Sequence, residues 1–190
     1  MPDDYPVLTF ETPDQWEAWL AKHHATVPGV WLKFYKKGSN KKSIVYAEAL
    51  DVALCYGWID SQAKSLDEEA YLQKFTPRRS KSIWSKRNTE HIQRLIDEGR
   101  MKPPGLAEVE KAKADGRWQA AYDPPKRIEL PAEFTNELNK NKKAKAFYET
   151  LNKTNTYAIA WRLQTAKKPE TKINRMKKII EMLERGEKFH

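Results

Sequence analysis

Cysteine occurs once in 190 residues, at Cys55, which excludes an internal disulfide and leaves the fold to hydrophobic burial. Glycine is scarce at seven residues, and neither G-x-G-x-x-G nor G-x-x-x-x-G-K occurs, so the chain has no phosphate-cradling glycine loop. Histidine is confined to His23, His24, His91 and His190. None of them has a sequence partner at metal-ligand or acid–base spacing, which argues against a zinc site and leaves catalytic constellations poor. No cofactor is expected. No window approaches eighteen apolar residues, so no membrane insertion is expected. Asp3 and Asp4 stand where a signal peptide would carry basic residues ahead of an apolar run, and a cytoplasmic protein is the expectation.

What is present suits a folded chain: 39% hydrophobic residues and seven tryptophans, enough to bury a core. The formal charge of +9 is unevenly spread. Met1 to Glu137 carries 21 basic and 21 acidic residues, whereas Leu138 to His190 carries 14 and 5. The whole excess therefore lies in the last 53 residues. Such a tail fits a solvated basic surface and also nucleic-acid binding through phosphate contacts.

Thr12-Pro13-Asp14-Gln15 has the cap, the first-turn proline and the following glutamine that open a helix, with Trp16, Trp19, Leu20 and His23 on one face. The run GVWLKFYKK alternates Val30, Leu32 and Phe34 against Trp31, Lys33 and Tyr35, a strand with one buried face. Helical spacing from Val45 to Tyr56, closed by Gly57, predicts a central core helix, and within it Cys55 reads as a buried, inert thiol. Trp58–Lys64 and Tyr71–Thr76 bracket Asp67-Glu68-Glu69 as a hairpin. Its first strand is expected to place Trp58, Asp60, Gln62 and Lys64 on one face. Helices follow over Lys86–Glu98, capped by Ser85, and Pro104–Asp115. YDPPKRIELP reads as a linker, and beyond it helices are expected over Pro131–Asn139, Lys142–Leu151, Asn155–Ala166 and Pro169–Arg185. The last buries Ile173, Met176, Ile179, Ile180 and Leu183. These elements predict an α+β fold: a mixed domain over residues 1–121 with a β-hairpin and short sheet packed by helices, a proline-rich linker over 122–131, and a basic helical region over 132–190.

The stretch FTPRRSKSIWSKRN, Phe75 to Asn88, holds the densest chemistry. Between Glu69 and Glu90 no acidic residue occurs, while Lys74, Arg78, Arg79, Lys81, Lys86 and Arg87 supply six positive charges. Arg78 and Arg79 can each fork onto a carboxylate or phosphate, Ser80, Ser82 and Ser85 offer hydroxyls, and Trp84 a flat platform. The helix start after Ser85 adds free N–H groups. The expected partner is an anionic small molecule or an acidic protein segment, with nucleic acid as an alternative. A structural reading stands beside it, in which the arginines pair with Asp60 or Asp67 and Trp58, Trp84 and Trp118 pack the core. A catalytic alternative would use Asp60 as base beside Gln62 and Lys64. The sequence carries no signal for oligomeric state.

The run ALDVALCYGWIDSQAKSLDEEAYLQKFTPRRSKSIWSKRN, continued by LIDEGRMKPPGLAEVEKAKADGRW, resembles the bacterial and archaeal YdeI or OmpD-associated proteins, a bacteriocin-protection family. NTYAIAWRLQTAKKPETKINR near the C-terminus shares in it, so the resemblance extends from about Val30 onward. It implies a link to resistance against antimicrobial peptides or bacteriocins and implies no particular reaction or cofactor. Its motif positions, Trp58, Asp60, Gln62, Arg78, Arg79, Ser82, Trp84, Ser85 and Asn88, mark where a shared site would lie.

Overall fold

The structure, a computed structural model, describes residues 5–190; Asp3 and Asp4 lie outside the described residues. It is α+β, and the chain divides into two compact units, one of Met1–Trp84 and Asn88–Ala120, the other of Ser85–Arg87 and Ala121–His190. No described helix is long and apolar enough to cross a membrane.

The first unit is built on a four-stranded sheet in the order β1-β2-β4-β3, from β1 (Val7–Leu8), β2 (Val30–Tyr35), β3 (Trp58–Ser65) and β4 (Ala70–Pro77). β1 runs parallel to β2, and β4 lies antiparallel to both β2 and β3. Helix α1 (Pro13–His23) starts as the sequence predicts, with the Thr12 hydroxyl accepting from the Gln15 N–H at 3.4 Å. Its Trp16 meets Phe75 of β4 and Trp58 of β3 edge-on, at 6.0 and 6.2 Å between ring centroids. The indole N–H of Trp16 donates to the Ala49 carbonyl of α2 (Tyr46–Cys55) at 3.1 Å. Apolar residues of α2 are almost all buried, so this helix is the centre of the unit's core, as its continuous apolar pattern implies.

The pairing register separates the faces of the sheet. Val30, Leu32 and Phe34 stand opposite Phe75, Gln73 and Tyr71 and face the helices, while Trp31 stands opposite Lys74 on the other side. There lysines cover aromatic rings: Lys64 Nζ lies 4.2 Å from the Trp31 ring centroid, Lys74 lies 4.7 Å from that of Tyr5, and Lys33 lies 4.8 Å from that of Tyr35. Trp31 is buried on the nominally outer face, with the ammonium groups of Lys64 and Lys74 over its ring.

The single-face arrangement expected for β3 does not hold. Asp60 pairs with Phe75, but Ala63 pairs with Gln73, so β3 carries one extra residue between them. A bulge of this kind inverts the alternation beyond it. Trp58 and Asp60 share the helix-packed face with Phe75, whereas Lys64, opposite Leu72, lies on the outer face above Trp31. Ile173, expected in the buried stripe of the last helix, is exposed as well.

Helices α3 (Lys86–Asp97) and α4 (Pro103–Ala114) follow the hairpin. The segment GRMKPPGL closes α4 onto the end of α2: the Lys102 N–H donates to the Cys55 carbonyl at 3.2 Å, and Lys102 Nζ pairs with Glu17 at 2.8 Å. Gly105 then passes directly over Cys55, where a Cβ would fall 2.2 Å from the carbonyl oxygen. Burial pushes the Cys55 thiol up to about 11, as expected of an inert core cysteine.

The second unit holds α5 (Ala132–Lys140), α6 (Lys142–Glu149), α7 (Lys153–Gln164) and α8 (Pro169–Glu184). Its core is Phe134, Leu138, Ala144, Ile159, Leu163, Ile179 and Leu183. Each helix is short, so its stability derives from this shared apolar contact.

The close approach of α4 yields a direct expectation. Gly105→Ala forces backbone apart and should lower unfolding free energy by about 3 kcal/mol in a urea titration, against the gain alanine normally gives inside a helix.

Candidate functional site

The stretch after β4 is arranged by two buried arginines. Arg78 leaves the end of β4 with its N–H donating to the Gly57 carbonyl at 3.0 Å, and its side chain is only 8% exposed. Its guanidinium lies 3.6 Å from the ring centroid of Trp84, and Nη1 reaches the Ile83 carbonyl at 3.5 Å. Trp84, 1% exposed, contacts Trp118 at 5.1 Å between centroids. Its indole N–H is buried without a hydrogen-bond partner among the described residues, so the ring is placed for its faces and not for its polar edge. Arg117, 7% exposed, donates to the Ser82 carbonyl at 3.0 Å while Asp115 holds its Nε at 2.7 Å. The Ser82 hydroxyl accepts from the Arg79 N–H at 3.2 Å, and the Ser82 N–H donates to the Arg79 carbonyl at 2.9 Å. Residues 79–82 thus form a reciprocally bonded turn on a cation–aromatic base. The side chains of Arg79, Ser80 and Lys81 are exposed on it.

The other expected site residues separate into distinct settings. Asp60 accepts the Tyr46 hydroxyl at 2.7 Å, and Asp67 turns back on the N–H groups of Glu69 and Ala70 at 2.8 and 2.7 Å. Both carboxylates thus accept from other donors, while Arg78 stacks on Trp84. Gln62 contributes its carbonyl to the Gln73 side chain at 3.1 Å, and Lys64 is on the opposite face from Asp60, so Asp60, Gln62 and Lys64 are not convergent. Trp58 is buried and donates to the His24 carbonyl at 3.0 Å, a packing role. Asn88 is half-buried in the first turn of α3.

Ser85 and Lys86 belong to the second unit. Ser85 bridges to Tyr122, and the Lys86 N–H donates to the Tyr122 carbonyl at 2.9 Å. Lys86 Nζ pairs with Asp123 at 2.7 Å, and Asp123 is further tied to Gln164, its N–H donating to Oε1 at 2.8 Å and its carboxylate accepting from Nε2. The Lys86 ammonium first, then the Gln164 amide, hold the Asp123 carboxyl below its ordinary range.

A charged cluster escaped the sequence reading. His91, which has no partner by spacing, lies 3.1 Å from Asp51, and Arg94 donates to the same carboxylate at 2.6 Å while pairing with Glu98 at 3.0 Å. Arg100 completes it at 3.7 Å from Asp51. Three cationic or protonatable groups around one carboxylate tie α3 to α2, and the sequence signal is only the i, i+3 placement of His91 and Arg94.

Residues 8–108, more than half of the chain, match the family model described as a domain of unknown function, DUF8412. Residues 127–186 match the model described as bacteriocin-protection, YdeI or OmpD-associated. The resemblance read from the sequence thus holds over the C-terminal segment, while GWIDSQ, FTPRRS, SIWSKRN and GRMKPPGL fall within the DUF8412 match. No curated protein and no solved structure matches the chain.

The Asp123 contacts give a pH-dependent expectation. A carboxyl held low when folded stabilises above its unfolded value near 3.9, and that contribution fades as pH falls through the lower folded value. Asp123→Asn should therefore be less stable than the parent at pH 7, by about 1 kcal/mol, with the two denaturation curves converging below pH ~4.

Proposed function

The chain belongs to the DUF8412 family through residues 8–108 and carries a YdeI or OmpD-associated segment over 127–186, and on that footing we propose that it is a non-catalytic binding protein. The ligand is an anionic group, a phosphate or carboxylate borne by a small molecule or an acidic partner segment. Arg79 and Lys81 grip it; Arg78, Ser82, Trp84 and Arg117 hold the turn in shape. The observation that carries this reading is the division of labour between adjacent arginines. Arg78 is buried against Trp84, while Arg79 is exposed on a turn whose backbone is bonded in both directions to Ser82. A guanidinium presented from a preorganised turn loses less entropy on capturing an oxyanion than one on a mobile loop. The absence of acidic residues from Ala70 to Thr89 leaves its field uncompensated within the sequence segment. Bacteriocin protection, which the C-terminal family's description names, would then proceed by capture of a partner and not by a reaction.

A second reading, nucleic-acid binding, is favoured by the 14 basic against 5 acidic residues of the last 53 and by the lysine-roofed aromatic rings on the outer face of the sheet. Bases stack on such rings when the roofing cations move to phosphates.

One titration separates the two. Isothermal calorimetry of the full chain against phosphorylated metabolites, an acidic peptide and a single-stranded oligonucleotide is run at low and moderate salt, with Arg79→Gln/Lys81→Gln in parallel. Anion capture predicts a hit that the double variant weakens at least about tenfold, with melting temperature unchanged. Nucleic-acid binding predicts instead a log–log salt slope of about −0.7 per phosphate contacted on a single strand. Equal affinity of parent and double variant for every ligand would remove the turn from consideration.

A further inference from the structure

In the second unit, α7, α8 and the C-terminal tail line an open pocket of about 320 Å³. Its wall from α7 is Trp161, Arg162 and Thr165, and that from α8 is Arg175, Lys178 and Ile179. Phe189 lines it from the tail. That side is fixed: the buried Asn155 side chain takes the His190 N–H at 3.1 Å and gives its own amide N–H to the His190 carbonyl at 3.2 Å. That two-way bond anchors the backbone beside Phe189, whose ring lies 3.8 Å from the Arg162 guanidinium carbon. Arg175 is oriented through Nη1, which donates to the Arg162 carbonyl at 2.6 Å and meets the Thr165 hydroxyl at 3.5 Å. Among the described residues, no carboxylate lines this pocket or pairs with Arg162, Arg175 or Lys178.

We propose that this pocket binds a small aromatic anion, a single flat ring bearing one carboxylate or phosphate. The three cations select negative charge, and the forked guanidinium of Arg175, fixed at Nη1, suits a pair of oxygens. Phe189, Trp161 and Ile179 supply apolar walls for a ring, and the Arg162–Phe189 stack is a flat surface for it to extend. Size restricts the class further. Ligand cavities start near about 300 Å³, so this one accommodates one ring and its anionic group and excludes a dinucleotide. The site is independent of the Arg79 turn, which belongs to the other unit.

The test is a nitrogen-15 NMR titration of the full chain with benzoate and phenyl phosphate, using inorganic phosphate and benzyl alcohol as the charge-only and ring-only controls. Saturable shifts confined to amides around 161–165, 175–179 and 189 are expected from both aromatic anions, with each control at least about tenfold weaker. Benzoate ahead of phenyl phosphate would identify a carboxylate source, and the reverse a phosphomonoester. Lys178→Gln removes an exposed charge without a structural partner and should raise the dissociation constant about threefold with melting temperature unchanged. Phe189→Ala should abolish the preference for aromatic anions over inorganic phosphate. Shifts that do not saturate by 20 mM, an equal response to inorganic phosphate, or affinities unaltered by both substitutions would overturn the proposal. Arg79→Gln should leave these titrations unchanged, which keeps this test separate from that of the turn.

Discussion

Placing a guanidinium in a protein interior is costly, and the position of Arg78, stacked on Trp84 with Nη1 reaching the Ile83 carbonyl, is the constraint around which the neighbouring chain is arranged. The consequences run along the chain in both directions. Upstream, the backbone of Arg78 is tied to Gly57, the residue whose positive φ of 74° turns the chain from α2 into β3. Downstream, Trp84 holds Trp118, and the adjacent Arg117 reaches back to the carbonyl of Ser82. A stretch that would otherwise be a repelling run of cations is divided into one buried member, Arg78, that sets its shape and exposed members that give it a charge.

That division bears on how a basic segment acquires specificity. Exposed lysines and arginines on mobile loops attract any anion weakly and are screened by salt. The reciprocal Arg79–Ser82 bonds fix the backbone from which Arg79 and Lys81 project. The tail uses a related device on a smaller scale, since Asn155 anchors the backbone beside Phe189 and Phe189 in turn supports Arg162. In each unit an arginine lies against an aromatic ring whose position is itself secured by neighbouring contacts.

Much of the fold was legible because its signals are local. Thr12-Pro13 opens α1, prolines begin α4 and α8, Gly57 closes α2, and the acidic cluster at Asp67–Glu69 is the tip of the hairpin. The site was legible as a concentration of charge but not as a geometry. The bulge between Asp60 and Ala63 adds a residue without altering composition, so nothing in the alternation of WIDSQAK announces that Lys64 leaves the face of Asp60. Arg117 meets Ser82 across 35 residues and His91 meets Asp51 across 40, separations over which spacing carries no information. Arg78 and Arg79 are identical by composition, and the buried one is distinguished by contacts to Gly57 and Trp84, neither of which is its neighbour in sequence.

The most direct test of the account compares the thermal unfolding of Arg78→Lys with that of Arg79→Lys, since each retains charge and removes the planar fork. If Arg78 is the buried brace, its lysine variant should lose about 1–2 kcal/mol of stability, while Arg79→Lys melts with the parent. Equal melting of the two variants, or a larger loss at Arg79, would contradict the division on which the account rests.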